Sequence, residues 1–137
     1  MSRNQWIIFI NMLAIVVFAF FLVGFTKKGI ETEQGHYLLN VEFPGKLLKV
    51  GQQQMTLLFL DRESGKPVTK KLDLEIIPWM RAAEHDASEL PKVTYLDNGK
   101  YQVERLYFNQ EGAWEIYIRI DKDNKEDAAV FDVDVIE

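Results

Sequence analysis

Residues Trp6 to Phe25, WIIFINMLAIVVFAFFLVGF, form a 20-residue run with no charge and one strongly polar residue, Asn11. No other feature restricts the chain so much. Twenty helical residues rise about 30 Å, the thickness of a bilayer's hydrocarbon core. A segment in lipid must satisfy its own backbone hydrogen bonds, so the run is expected to be a single transmembrane helix. It exceeds the apolar stretch of a usual signal peptide, and no A-x-A-like cleavage site follows it, so the helix is expected to stay attached. Asn11 either bonds to a neighbouring helix or reaches the headgroups. The expected organisation is a membrane anchor over 1–28 and a folded domain over 29–137.

The charges lie outside the run. Arg3, Lys27 and Lys28 precede residue 29, where no acid occurs; the other 13 of the 16 basic residues face 21 acids, a formal charge of −8. Binding nucleic acid requires cations that displace counterions from phosphates, so an acidic domain is not expected to bind it, and the same charge disfavours lying flat on anionic lipid. The absence of cysteine excludes disulfides, thiol catalysis and cysteine-bound metal centres. Basic residues flank the apolar run almost evenly, so charge alone does not orient it.

Beyond the anchor the pattern is beta. GHYLLNVEF (35–43) ends at Pro44-Gly45, and QQMTLLFLD (53–61) ends at ESGKP. VTKKLDLEII (68–77) alternates at Leu72, Leu74 and Ile76. KVTYL (92–96) leads through Asp97-Asn98-Gly99 to KYQVERLYF (100–108). AWEIYIRID (113–121) puts Trp114, Ile116, Ile118 and Ile120 on one face, which makes Trp114 a core candidate. After the charged run KDNKED, AAVFDVDVIE (128–137) alternates again. Period-two patterning buries one face of an antiparallel sheet. Seven such strands with regular turn signals predict an all-β fold, an immunoglobulin-like antiparallel sandwich.

Three local details sharpen this expectation. The run from Leu57 to Leu60 is apolar on both faces, as in a central strand. In KYQVERLYF the apolar phase changes between Val103 and Leu106, which a β-bulge at Glu104-Arg105 would reconcile. Asp97-Asn98-Gly99-Lys100-Tyr101 reads both as an Asn-Gly hairpin turn and as the D-x-G-x-Y of a tyrosine corner. Residues 77–91, IPWMRAAEHDASELP, carry two prolines and little alternation; they are expected to form a long loop with one helical turn near Arg81 to Asp86.

That segment holds the candidate metal ligands, Met80 and His85. A thioether is a soft donor suited to Cu(I), and imidazole suits copper or zinc. The competing reading is structural, with Trp79 and Met80 plugging the end of the sandwich. His36, the only other histidine, reads as a solvated strand-edge residue and as a third ligand only if the fold brings it to the other two. No cysteine nucleophile, Gly-rich phosphate loop or G-x-S-x-G elbow is present. A non-enzymatic role is expected.

The stretch from Gly35 to Ile120 resembles the FixH/YtkA-like family of membrane-anchored bacterial proteins. The likeness rests on the N-terminal helix followed closely by GHYLLNVEFPGKLLKVGQQQMTLLFLD, on Pro78-Trp79-Met80 after LDLEII, and on DNGKYQVERLYFNQEGAWEIYIRI. The resemblance implies an immunoglobulin-like domain on the periplasmic side of the bacterial inner membrane. It also implies an accessory role in the assembly or copper supply of a respiratory haem–copper oxidase, or of a similar complex such as a cation pump. Family members often carry a Met-Pro-x-Met loop with a nearby histidine. Here Ile77 stands for the first Met, Pro78 and Met80 match, and His85 lies farther along. The alternatives are a periplasmic copper carrier and a general ligand- or protein-binding sandwich without an oxidase link.

Overall fold

The computed structural model describes residues 29–80, the backbone of 85–86, and residues 90–137. The Trp6–Phe25 run lies outside these residues; among the described ones, no helix is long and apolar enough to cross a membrane. All regular structure described is β: β1 (Ile30–Glu31), β2 (Tyr37–Glu42), β3 (Leu48–Lys49), β4 (Gly51–Asp61), β5 (Asp73–Met80), β6 (His85–Asp86), β7 (Lys92–Tyr95), β8 (Lys100–Phe108), β9 (Gly112–Lys122) and β10 (Lys125–Ile136). One sheet has the order β1-β2-β4-β8-β7. The other has the order β3-β10-β9-β5-β6. Every pairing is antiparallel except that of β3 with β10, which is parallel.

The alternation read in the sequence becomes the core of a β-sandwich. Leu39, Met55, Leu57, Phe59, Tyr101, Val103, Leu106 and Phe108 come from the first sheet. Ile76, Trp114, Ile116, Ile118, Ile120 and Val135 come from the second. Strand β4, apolar on both faces near Leu57, occupies the middle of its sheet. Trp114 is 1% exposed. Its indole N–H donates to the Gln110 carbonyl at 3.0 Å, and its ring meets Phe108 edge-on at 5.2 Å. The aromatic body is thereby buried without an orphan donor.

The phase change in β8 is a β-bulge. Gln53 pairs with Leu106 and Met55 with Val103, so Gln54 alone faces both Glu104 and Arg105. Arg105 takes up the extra length at φ 57°. The bulge turns Leu106 and Phe108 onto the same buried face as Tyr101 and Val103.

Two tight turns set the registers at one end of the sandwich. Asp123 and Asn124, both at positive φ, join Lys122 to its partner Lys125, the backbone expected of a two-residue type I′ hairpin. The charged run is therefore a turn of only two residues, and Asp127 lies inside β10. The other turn spans Asp97–Gly99, all at positive φ. Gly99 is required there twice over: its φ is +77°, and a Cβ would sit 2.5 Å from the Phe59 carbonyl oxygen.

The tyrosine-corner reading needs a change of partner. The Tyr101 hydroxyl accepts the Leu72 N–H at 2.7 Å, which ties the approach to β5 onto the opposite sheet, not onto its own turn. Burial raises the Tyr101 pKa, the bonded Leu72 N–H opposes that rise, and the neighbouring Tyr95 adds to it.

Residues 77–80 and 85–86 are also not a loop. Strand β5 continues through Pro78 to Met80, and β6 returns beside it. Ile77, Pro78 and Trp79 pair with Tyr117, Ile116 and Glu115 of β9, so pairing to a long neighbour overrides the proline and the weak alternation. Proline is tolerated in a strand where no ladder bond is asked of its nitrogen, and the β6 partner begins one residue later. His85 and Asp86 are strand, not helical turn; Arg81 to Glu84 lie outside the described residues.

Candidate functional site

The two metal candidates are brought together in the backbone. Met80 and His85 are direct partners in the β5–β6 register. Met80 is 8% exposed, and its methyl group packs onto Gly112, where a Cβ would collide with Met80 Cε. Gly112 also has φ +131°, so open backbone and close packing coincide. The thioether thus closes one end of the core, as expected of Met80, while remaining next to the position where β6 begins; Trp79 is half-buried on the other face of the strand and does not join the core.

His36 is not part of that end. It precedes β2, whereas Met80 ends β5. The residues flanking His36 reach the β9–β10 turn at Lys122 to Lys125, while the Met80 end of β5 lies beside Glu115. Strand β5 spans eight residues from Asp73 to Met80, and at about 3.3 Å per residue its two ends are some 25 Å apart. A one-chain site built from His36, Met80 and His85 is therefore ruled out by the fold. Among the described residues, no three His, Cys, Asp or Glu side chains converge as a metal cluster.

The His36 end carries the more developed polar chemistry. A half-open cavity of about 570 Å³ is lined by His36, Tyr37, Asp61, Lys70, Lys122 and Lys125, among others. Its charges are of both signs. Asp61 caps the following turn through the Glu63 and Ser64 N–H groups, each at 2.9 Å. The Ser64 bond leads in holding its carboxyl below the ordinary value against some burial. The Tyr37 phenol is pushed up, first by burial and then by the negative charges of Asp127, Asp61 and Asp123.

Behind this cavity lies Asp127, 5% exposed, which hides within a sequence run that reads as solvated. It accepts the Thr32 hydroxyl at 2.6 Å, the Gln34 N–H at 2.8 Å, the Ala128 N–H at 2.8 Å and the His36 N–H at 3.4 Å. Burial pushes its pKa up, but the bonds from Thr32, Gln34, Ala128 and His36 prevail and leave it below the ordinary carboxylate value. Thr32 in turn accepts the Tyr37 N–H at 3.1 Å, and the Ala128 carbonyl accepts the Glu33 N–H at 2.8 Å. One carboxylate thus ties the 32–37 segment to β10 and fixes the lip of the cavity. Each group is satisfied inside the protein, which makes Asp127 an organiser of the fold and not a reactive group.

Fold and site together define a β-sandwich domain whose strongest polar cluster is structural and whose Pro78–Met80 segment ends a core strand. The match to family models is to the YtkA-like family, over residues 37–119. That span runs from the first residue of β2 into β9 and covers more than half of the chain, and the protein belongs to this family. Comparison with curated proteins returns no match.

Proposed function

We propose that this protein is a non-enzymatic, single-pass accessory protein of the bacterial inner membrane, with its sandwich on the periplasmic side. In this reading it supports the assembly or copper supply of a respiratory haem–copper oxidase or a similar membrane complex. The observation that carries it is the conjunction of a YtkA-like domain over 37–119 with a 20-residue apolar run placed just before it. The finer fold assignment is immunoglobulin-like. Taken as strands A to G, β2, β4, β5, β7, β8, β9 and β10 give the orders A-B-E-D and C-F-G, those of an immunoglobulin constant-type sandwich. A domain of this kind acts by presenting surfaces, and its tether limits it to partners at the same membrane. The test is isolation of the tagged full chain from gently solubilised membranes. Co-isolation of haem–copper oxidase subunits or of a cation pump supports the reading; isolation without either opposes it.

The second reading is a copper carrier, favoured by the direct pairing of Met80 with His85. A soft thioether selects Cu(I), and with two protein ligands the affinity is low and exchange is easy. Because Met80 packs on Gly112, loading requires the end of the core to open. Anaerobic Cu(I) titration of the protein against a competing chelator decides it. Equal uptake by wild type and the Met80→Ala/His85→Ala double variant makes this hairpin a structural or docking element.

A further inference from the structure

The β1 register carries information about how the domain stands on the membrane. Ile30 pairs with Leu39 and Glu31 with Leu38, antiparallel. The chain therefore arrives at Ile30 from the direction of Val41 and Glu42, the end of β2 that leads into Pro44–Val50. Only Thr26 to Gly29 separate the apolar run from Ile30. Five residue steps span at most about 18 Å. The end of the run therefore lies within that reach of Ile30, and the described chain enters β1 from the end of the sandwich that carries the Pro44–Val50 loop.

The surface chemistry of that end agrees. Seven large apolar side chains are exposed among the described residues, and four of them lie at that end: Leu47, Val50, Tyr107 and Ile136. Leu47 is 66% exposed. Val50 donates its N–H to the Ile136 carbonyl at 2.9 Å, and Tyr107 pairs with Gln52, so these side chains surround one rim. From Phe43 to Leu60 the chain has no acid, though the domain is acidic as a whole, and it carries two lysines, Lys46 and Lys49. Both lysines are exposed. The opposite end carries charges of both signs, Asp61, Glu63 and Asp123 beside Lys70, Lys122 and Lys125, without a comparable group of exposed apolar side chains among the described residues. Exposed apolar groups interleaved with lysines suit the boundary between headgroups and acyl chains, where apolar side chains enter and ammonium groups meet anionic headgroups.

We infer that the Pro44–Val50 loop is a second membrane contact: Leu47 and Val50 enter the interface of the bilayer that holds the anchor, and Lys46 and Lys49 meet its anionic headgroups. The occupant of this apolar rim is lipid. The inference rests on the reading of Trp6–Phe25 as a membrane anchor, and it sets the Met80–His85 hairpin, at the same end of the fold, near the membrane surface.

The natural absence of cysteine permits a direct test. The full chain, carrying Leu47→Cys or Leu96→Cys, is labelled with a nitroxide and reconstituted into vesicles of phosphatidylethanolamine and phosphatidylglycerol. Leu96 is the control; it is 49% exposed and lies in the β7–β8 turn at the other end. The expected result is that collision with a water-soluble nickel chelate is several-fold lower at 47 than at 96, despite the greater exposure of Leu47 in the protein alone. Adding Lys46→Glu and Lys49→Glu should raise it at 47 toward the value at 96. Equal accessibility at both sites, or shielding at 96 alone, overturns the inference. Shielding at 47 that disappears on dilution with excess lipid makes the occupant a second copy of the chain and also overturns it. An alkaline wash separates the two readings. Retention on the vesicles keeps the anchor whatever the labels report, whereas release removes the anchor and this inference with it.

Discussion

Replacing Asp127 probes the most connected buried group in the domain. In Asp127→Ala the Thr32 hydroxyl and the Gln34 N–H lose charge-assisted acceptors at 2.6 and 2.8 Å. Hydrogen bonds to a charged group contribute about 1.5–3 kcal/mol each, and an orphaned buried donor costs a similar amount. The Ala128 bond is local, and the His36 bond is long at 3.4 Å, so they add less. Thr32 keeps its contact with the Tyr37 N–H, which limits the loss. The expected loss is about 3–4 kcal/mol for Asp127→Ala. Asp127→Asn keeps the shape and one acceptor but turns an amide donor toward other donors, and should lose about 2 kcal/mol. The pH dependence carries a definite sign. The folded pKa lies below the ordinary 3.8, so the unfolded chain binds the proton more readily. The contribution is therefore complete above that value and is lost as pH falls through the folded pKa. Urea unfolding of residues 29–137, followed by circular dichroism at neutral pH and at steps below pH 4, measures both effects. Equal stability of wild type and Asp127→Asn at neutral pH would refute the reasoning, as would a gap between them that fails to narrow in acid.

Three other expectations are simpler. Trp114→Ala should destabilise the same domain by about 3–5 kcal/mol, since it empties a large core site and frees the Gln110 carbonyl; an unchanged melting temperature would contradict the burial. Gly99→Ala should cost clearly more than Gly65→Ala in unfolding experiments. Both glycines have positive φ, which costs a side-chain-bearing residue about 1–2 kcal/mol, but only at Gly99 does the new Cβ meet backbone. Equal losses would show that β4 yields easily there. A reporter active only in the periplasm and fused after Glu137 should be active in living cells, with the anchor retained in the mature chain; activity of a cytoplasm-restricted reporter instead would reverse the topology.

The parts of this fold that were legible in the sequence share one physical cause. A strand buried on one face must alternate, so β2, β4, β5, β7, β8, β9 and β10 were all visible. The bulge at Glu104-Arg105 was visible as a fault in that alternation. The sequence of β5 was misleading past Ile77 because Pro78 ordinarily stops a strand, and pairing with Tyr117 to Glu115 outweighs that local preference. Two-residue strands such as β1, β3 and β6 are too short to carry a period. Asp127 was illegible for a different reason: its partners Thr32 and Gln34 are more than 90 positions away, and an acid beside Lys125 and Glu126 looks solvated. Of the candidate ligands, the spacing of Met80 and His85 allowed the hairpin that joins their backbones. The separation of His36 from both is a property of the topology alone.

The central claim, an accessory role for a membrane-held sandwich in making a respiratory haem–copper oxidase, is tested most directly in cells that lack this protein. The measurement is the amount of assembled oxidase in isolated membranes, read from the reduced-minus-oxidised haem spectrum and from oxygen uptake. The account predicts that oxidase falls in the absence of the protein and is restored by the full chain, but not by residues 29–137 released from the anchor. Unchanged oxidase in cells without the protein, at both low and ample copper, would contradict it.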